Sequence, residues 1–294
     1  MEIENIEKNI ESSIGKVVCE AIIPDVPLKS LEEIEKSIQK KFRSELWSPF
    51  IHALKEFSMI NDGDKIAVAI SGGKDSLLLA KLFQELKRAS KTKFEVVFIS
   101  MNPGFNEENL KRLEKNLQYL NIPGEIYPDN VFQIAEKIAK DYPCYMCAKM
   151  RRGSLYSKAT ALGCNKLALG HHFDDVVETT LMSMFYMAKF ETMLPKLKAD
   201  NFDMELIRPL YYVEEENIKK WVRTNGLSPM NCGCTVAAGK TSSKRKETKE
   251  LLDLLVKNNP NIKKSIMQSA KNVNLEKIVG WKNKGEYFSY LDNM

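Results

Sequence analysis

The chain has 294 residues, is 44% apolar and carries a formal net charge of +5. That is enough to bury one substantial core with a helical appendage, and no stretch reaches the roughly eighteen uninterrupted apolar residues of a membrane span. The start, MEIENIEKNIESSIGK, lacks the basic opening and apolar centre of a secretory signal, so a cytoplasmic address without a membrane partner is expected. There, six cysteines serve as ligands, redox groups or buried thiols rather than disulfides.

Residues 1–33 read as a polar N-terminal arm that ends near the proline-marked turn IIPDVPL. From Ser30, SLEEIEKSIQKKFRSELWSPFIHALKEF is helical: Ser30 and Glu33 form a capping box, and apolar residues recur at helical spacing. Pro49 is expected to break or kink that run after Ser48, within an N-terminal helical segment at 34–62.

Then the period changes. KIAVAI (65–70) is a short apolar strand, followed by a helix from Asp75 to Arg88, the strand FEVVFIS (94–100) and the loop MNPGFN. The helix EENLKRLEKNLQYLN leads to a short strand near GEIYP, and VFQIAEKIAKDY and MRRGSLYSKATALG are helical. KLALG (166–170) is another strand, and DDVVETTLMSMFYMA, EEENIKKWVRTNG and KRKETKELLDLLVKN are helices. Strands alternating with helices predict an α/β fold, a doubly wound and mostly parallel sheet with helices added at both termini. Residues 63–235 would form the catalytic domain and 236–294 a basic helical C-terminal region. Between Lys240 and Lys284 stand twelve Lys and Arg against four acids. That asymmetry suits a polyanion, though a solvated helical surface accounts for it equally well.

In a doubly wound sheet, ligands sit outside the carboxyl ends of the strands. VAISGGKDSLLLAKLF places Ser71, Gly72, Gly73, Lys74, Asp75 and Ser76 at such a point. Two glycines allow a sharp turn, successive amides can form an anion-binding nest, and the helix N-terminus, Lys74 and two hydroxyls add donors. The spacing is not that of a Walker loop.

YPCYMCAKMRRG gives Cys144 and Cys147, and MNCGC gives Cys232 and Cys234. Such spacing allows a redox pair, a four-thiolate zinc site, or three thiolates on a [4Fe–4S] cluster with one iron left open. Spacing alone does not separate zinc from iron–sulfur. ALGHHFDD puts Gly170, His171, His172, Asp174 and Asp175 after a strand and at the opening of a helix, as a ligand set or as a capping run. Arg151 and Arg152 follow the first cysteine pair closely and could bind phosphates or steady developing negative charge, or face solvent.

SGGKDS resembles the pyrophosphate loop of the PP-loop (N-type) ATP pyrophosphatases. PCYMCAKMRRGSLYSKATALGCNKLALGHHFDDVVETTLMSMFY, with MLPKL, IRPLYY, MNPGF and the SIQKKFRSELWSPFIHAL helix, resembles the tRNA 2-thiocytidine synthetases (TtcA type) over roughly residues 34–275. The resemblance implies that Ser71 to Ser76 hold the phosphates of ATP, which is cleaved between α and β. It implies a [4Fe–4S] cluster on Cys144, Cys147 and Cys234. Cys232 is the alternative third ligand, because CGC is shorter than the family's usual CNLC. It places Gly170 and His171 at the nucleotide, with Asp174 or Asp175 acting on Mg²⁺ or on proton transfer; Arg151 is the candidate, from its place after the cysteine pair, for steadying charge at the reacting centre. The implied activity is tRNA thiolation: AMP transfer to a pyrimidine C2 oxygen, then replacement of that oxygen by sulfur, at cytidine 32. The implied partners are tRNA and a sulfur donor (a cysteine desulfurase or sulfide), and the sequence leaves open whether the chain is a homodimer. A uridine 2-thiolase, a lysidine synthetase and a zinc-bearing nucleic-acid-binding protein are the alternatives.

Overall fold

A computed structural model describes residues 22–129, 131, 132, 134, 143–230 and 243–293. They fall into two compact units. The first takes the residues up to Asp174 with Leu194–Ser243, and the second takes Asp175–Met193 with the residues from Lys244 onward.

The first unit is built on a six-stranded sheet: β1 (Lys65–Ala69), β2 (Glu95–Asn102), β3 (Gly124–Pro128), β4 (Lys166–Ala168), β5 (Lys196–Lys198) and β6 (Glu205–Ile207). The spatial order is β3-β2-β1-β4-β6-β5, parallel except for β5, which runs antiparallel to β6 at the edge. The apolar runs Ile66–Ala69 and Lys166–Ala168 are buried along their length, as central parallel strands must be. Their register sets Ile66 opposite Lys166 and Val68 opposite Ala168. The chain moves outward from β1 through β2 to β3, then returns to the other side of β1 as β4. With right-handed crossovers, that reversal makes the gap between β1 and β4 the switch point of the sheet.

Two of the loops that matter leave this gap at its carboxyl edge. One enters α3 (Lys74–Ala89), whose Leu77, Leu78, Leu82 and Phe83 are buried; the other follows β4 into α6 (Phe173–Met187). Between them in sequence run α4 (Glu107–Tyr119) and α5 (Pro143–Ala161), and after β6 comes α7 (Glu215–Thr224). The opposite, amino edge is closed by charge. Lys166, 2% exposed, meets Asp64 at 2.9 Å, Glu205 at 3.2 Å and the Met59 carbonyl at 2.9 Å. Burial pushes the Asp64 carboxyl up, but the hydrogen bonds from Lys166, the Asn61 amide and Asn165 outweigh it and hold Asp64 below the usual carboxylate range.

The N-terminal run differs from the sequence reading at its break. α1 (Leu31–Gln39) begins on Ser30 with the expected capping box, and the chain is next interrupted at residues 40–42 and by a π-helical turn at Arg43–Trp47. Pro49 lies in the first turn of α2 (Ser48–Glu56), where its missing N–H costs nothing, so it begins a helix rather than breaking one. Trp221 of α7 is fully buried and donates to Ser37 Oγ at 3.2 Å, tying α7 to α1. Gly226, at φ +71°, ends that connection against Pro27, whose carbonyl oxygen would lie 2.4 Å from any Cβ.

The second unit holds the rest of α6, α8 (Ser243–Asn258), α9 (Ile262–Ser269) and a hairpin, β7 (Gly280–Asn283) with β8 (Glu286–Ser289). The sequence reading made this region wholly helical. The turn at Lys284 and Gly285, both at positive φ, instead brings Trp281 and Phe288 into a stacked pair 5.7 Å apart. Among the described residues no helix is long and apolar enough to cross a membrane.

Candidate active site at the switch point

The loop Ser71–Ser76 turns on Gly72, which takes φ +83° with no room for a side chain, since a Cβ there would meet Met230 Sδ at 2.4 Å. Gly73 is the N-cap of α3, and the loop braces itself. Ser76 Oγ donates to the Gly73 carbonyl at 2.9 Å and accepts from the Ser71 amide at 3.2 Å, while the Gly73 amide reaches Ser71 Oγ at 3.4 Å. The amides of Lys74, Asp75 and Ser76 stand in the first turn, where helix geometry provides no intrahelical acceptor. They are the donors an anion would meet, reinforced by the positive end of α3.

Around this loop the charges alternate. Lys74 Nζ lies 3.0 Å from Asp75 Oδ2 and 3.0 Å from Glu215 Oε1, at the start of α7. Burial opposes its charge, yet the two carboxylates more than offset this and hold the ammonium above the usual lysine range. Asp75 Oδ1 is buried and takes no hydrogen bond from the described residues. The buried His172 stands between two carboxylates, with Nε2 3.9 Å from Asp75 Oδ1 and Nδ1 3.9 Å from Asp174 Oδ2. Asp174 in turn accepts the Glu215 amide at 2.7 Å, capping α7. Three loop–helix junctions, after β1, β4 and β6, thus meet at one edge. The arrangement offers a cationic anchor, an anion nest and an open carboxylate oxygen within a few ångströms of each other.

The other sequence-derived residues are placed as follows. Gly170 packs on backbone, since a Cβ there would lie 3.3 Å from both Asp75 C and the Ser76 amide nitrogen, so its smallness lets β4's loop approach α3. The paired aspartates part company. Asp174 belongs to the edge just described, whereas Asp175 pairs with Arg245 of α8, whose Nε also donates to Glu178 at 2.7 Å. Burial disfavours the Arg245 charge, but Asp175 and Glu178 hold it above the usual arginine range. His171 is half-buried beside His172. Arg151 is half-buried on α5 and forms no ion pair among the described residues. Cys144 and Cys147 both lie near the start of α5. The Cys147 side chain is half-buried, while the side chain of Cys144 and all of Cys232 and Cys234 lie outside the described residues. No metal-binding group forms among the described residues alone.

The PP-loop domain family matches residues 46–230. A tRNA-cytidine(32) 2-sulfurtransferase from Syntrophotalea carbinolica is 39% identical over 223 residues, covering 75% of this chain and 86% of that protein. The protein of the same name from Geotalea daltonii is 38% identical over 242 residues, covering 82% and 94%. The chain belongs to the PP-loop tRNA-cytidine(32) 2-sulfurtransferase family. The U34-tRNA thiolase NcsA from Methanococcus maripaludis, solved with its [4Fe-4S] cluster, is similar in fold, with 23% identity and a TM-score of 0.59 over 82% of this chain and 77% of that one.

In this PP-loop family member, the sequence pattern alone does not mark Glu215 and Met230 as parts of the edge, and it marks Arg245 only as charge. Glu215 had a signal: the acidic cluster Glu214–Glu216 follows a short apolar stretch, the same strand-to-helix pattern that marks the phosphate loop. Met230 had none, because its role rests on a close approach to a glycine about 160 residues upstream.

Proposed function

We propose that this chain is an ATP-dependent tRNA 2-sulfurtransferase that converts cytidine 32 to 2-thiocytidine. The observation that carries it is the alternation at the switch point: Lys74 held between Asp75 and Glu215, beside an anion nest and an open Asp75 oxygen. The C2 oxygen of a pyrimidine leaves poorly. Attack of that oxygen on the α-phosphorus of ATP expels pyrophosphate, and sulfur then adds at C2 while AMP departs with the oxygen. The amides of Lys74–Ser76 and the Lys74 ammonium grip the departing pyrophosphate and stabilise its charge. Asp75 Oδ1 suits the Mg²⁺ that accompanies ATP, a hard cation that prefers carboxylate oxygen. Asp174 and His172 fix the edge around it. Asp175, engaged by Arg245, stiffens the start of α6 rather than touching nucleotide.

A [4Fe–4S] cluster on Cys144, Cys147 and Cys234, or Cys232 as third ligand, would supply an iron able to carry the incoming sulfur. The donor set is all thiolate, which suits iron–sulfur, and the sulfur itself comes from a cysteine desulfurase or from free sulfide. The Lys- and Arg-rich α8 and α9 and the hairpin lysines Lys282 and Lys284 supply charge for the RNA backbone, and an unpaired loop base is the kind that can be splayed into a pocket. The basis for transfer is the two relatives' name and their length of match.

The test is direct. Chain purified without oxygen should contain iron and sulfide, and with ATP, a sulfur source and tRNA it should yield 2-thiocytidine with release of AMP and pyrophosphate. A colourless chain carrying one zinc per molecule, with no product, favours the zinc-bearing binder instead.

A further inference from the structure

The hairpin of β7 and β8 has two unlike faces. Residues directly opposite share a face, and successive residues alternate between faces. Trp281 with Phe288 and Asn283 with Glu286 therefore stand on one side, and Lys282 with Tyr287 on the other. The stacked Trp281 and Phe288 are half-buried and hold the two strands together. The second side carries more than charge. Tyr287 is 64% exposed, yet its ring does not stand away from the ribbon: a Cβ on Gly280 would run into the hydroxyl and lie 2.7 Å from Cζ. A ring tip that close to the backbone lies down along β7, one face against the strand and the other towards water. Glycine at 280 is what leaves it room.

The charges beside the ring have one sign. Lys282 is the cross-strand partner of Tyr287 and Lys284 stands in the turn; both are exposed, and neither forms an ion pair among the described residues. Glu286 is on the Trp281 side, and Asp292, just past β8, accepts the Ser289 amide at 2.7 Å. Lys284 takes φ +50° at the first position of a two-residue turn, a place that favours asparagine or glycine. A lysine is held there at a conformational cost those residues would not meet.

We propose that this face is a stacking platform for one unpaired base of the tRNA, with Tyr287 under the base and Lys282 and Lys284 on the flanking phosphates. The proposal rests on the tRNA reading given above. An open aromatic face beside unpaired lysines suits single-stranded RNA: the base lies on the ring, and the backbone passes the ammonium groups. A protein partner fits less well, because lysine is depleted at the centres of protein interfaces. A second copy of the same face would set lysine against lysine, a repulsive pairing.

The experiment measures Kd of the full chain for end-labelled tRNA across a range of salt, with a long RNA duplex as the comparison ligand. Tyr287→Ala should weaken tRNA binding about tenfold at every salt concentration, the loss of one stacked base, and leave the slope of log Kd against log salt unchanged. Tyr287→Phe keeps the ring and should bind within about twofold of the wild type. Lys282→Ala should do the reverse of Tyr287→Ala, lowering the slope by about 1, and so should Lys284→Asn, which suits the turn. The duplex, having no unpaired base along its length, should bind the Tyr287 variants as tightly as the wild type. Should Tyr287→Ala disturb the hairpin, Tyr287→Leu keeps its bulk without a π-face, and Gly280→Ala keeps every charge while lifting the ring. Each must weaken tRNA binding at least about threefold and spare the duplex. Undiminished tRNA affinity in these variants, or an equal loss on the duplex, overturns the platform and leaves the tRNA reading intact. So does a change of oligomeric state in Tyr287→Ala by sedimentation, which marks a surface for a second copy. A wild-type chain without affinity for tRNA sinks both.

Discussion

Two lysines sit between paired carboxylates at opposite ends of the same pair of strands, and they are finished differently. At the amino edge of β1 and β4, Lys166 meets Asp64, Glu205 and a carbonyl, and Asp64 is itself saturated by the Asn61 amide and the Asn165 side chain. At the carboxyl edge, Lys74 meets Asp75 and Glu215, but Asp75 keeps one buried oxygen with no hydrogen bond from the described residues. Removing water from charges is costly, so a closed set is a structural solution and an open one is a position kept for something else. The difference separates the part of the sheet that holds the fold from the part that does the chemistry.

The comparison breaks most sharply under substitution of the two lysines. Lys166→Ala leaves the buried Asp64 carboxylate without its ammonium partner, while Glu205 keeps Lys196, and should cost about 3 kcal/mol, read as a lowered urea midpoint. Lys74→Ala should leave that midpoint far less affected while slowing thiolation by about 10²–10³, the loss typical of a donor aimed at developing charge. Equal losses of stability in the two variants would erase the distinction. Asp75→Asn should follow, changing stability by about 1 kcal/mol or less because the carboxylate is only partly buried and Lys74 keeps Glu215, while activity falls by about 10².

Acid sharpens the closed site. Asp64 is held below the usual carboxylate range, so its contribution to stability is present above pH of about 4, the ordinary aspartate value, and is lost as pH falls through its depressed folded value. Asp64→Asn should therefore flatten the acid limb of stability against pH. An unchanged limb would mean that other carboxylates set it. The smallest effect belongs to the hairpin. Lys282→Ala and Lys284→Ala should each reduce the slope of log Kd for tRNA against log salt by about 1, with little change in which tRNA is chosen.

Much of this was legible in the sequence because it repeats locally. KIAVAI followed by SGGKDS, and KLALG followed by GHHFDD, each carry an apolar strand, a turn and a helix start in one short run. Strands β5 and β6 span three residues each, too short for any period to register, and their pairing is tertiary. The hairpin was hidden in a lysine-rich stretch that invites a helical reading, although Trp281 and Phe288 around a Lys284–Gly285 turn carry the strand pattern. The separate fates of Asp174 and Asp175 could not be read from an adjacent pair. They depend on which residue faces the α7 amide and which faces Arg245, and those partners come from distant parts of the chain.

The account stands most directly on what Lys74 does to ATP. With tRNA, a sulfur source and ATP labelled at the α-phosphate, the wild type should release AMP and pyrophosphate in step with 2-thiocytidine, and Lys74→Ala should release almost none of either while still folding and holding iron. Thiolation by Lys74→Ala at the wild-type rate, or release of ADP and phosphate by the wild type, would contradict it.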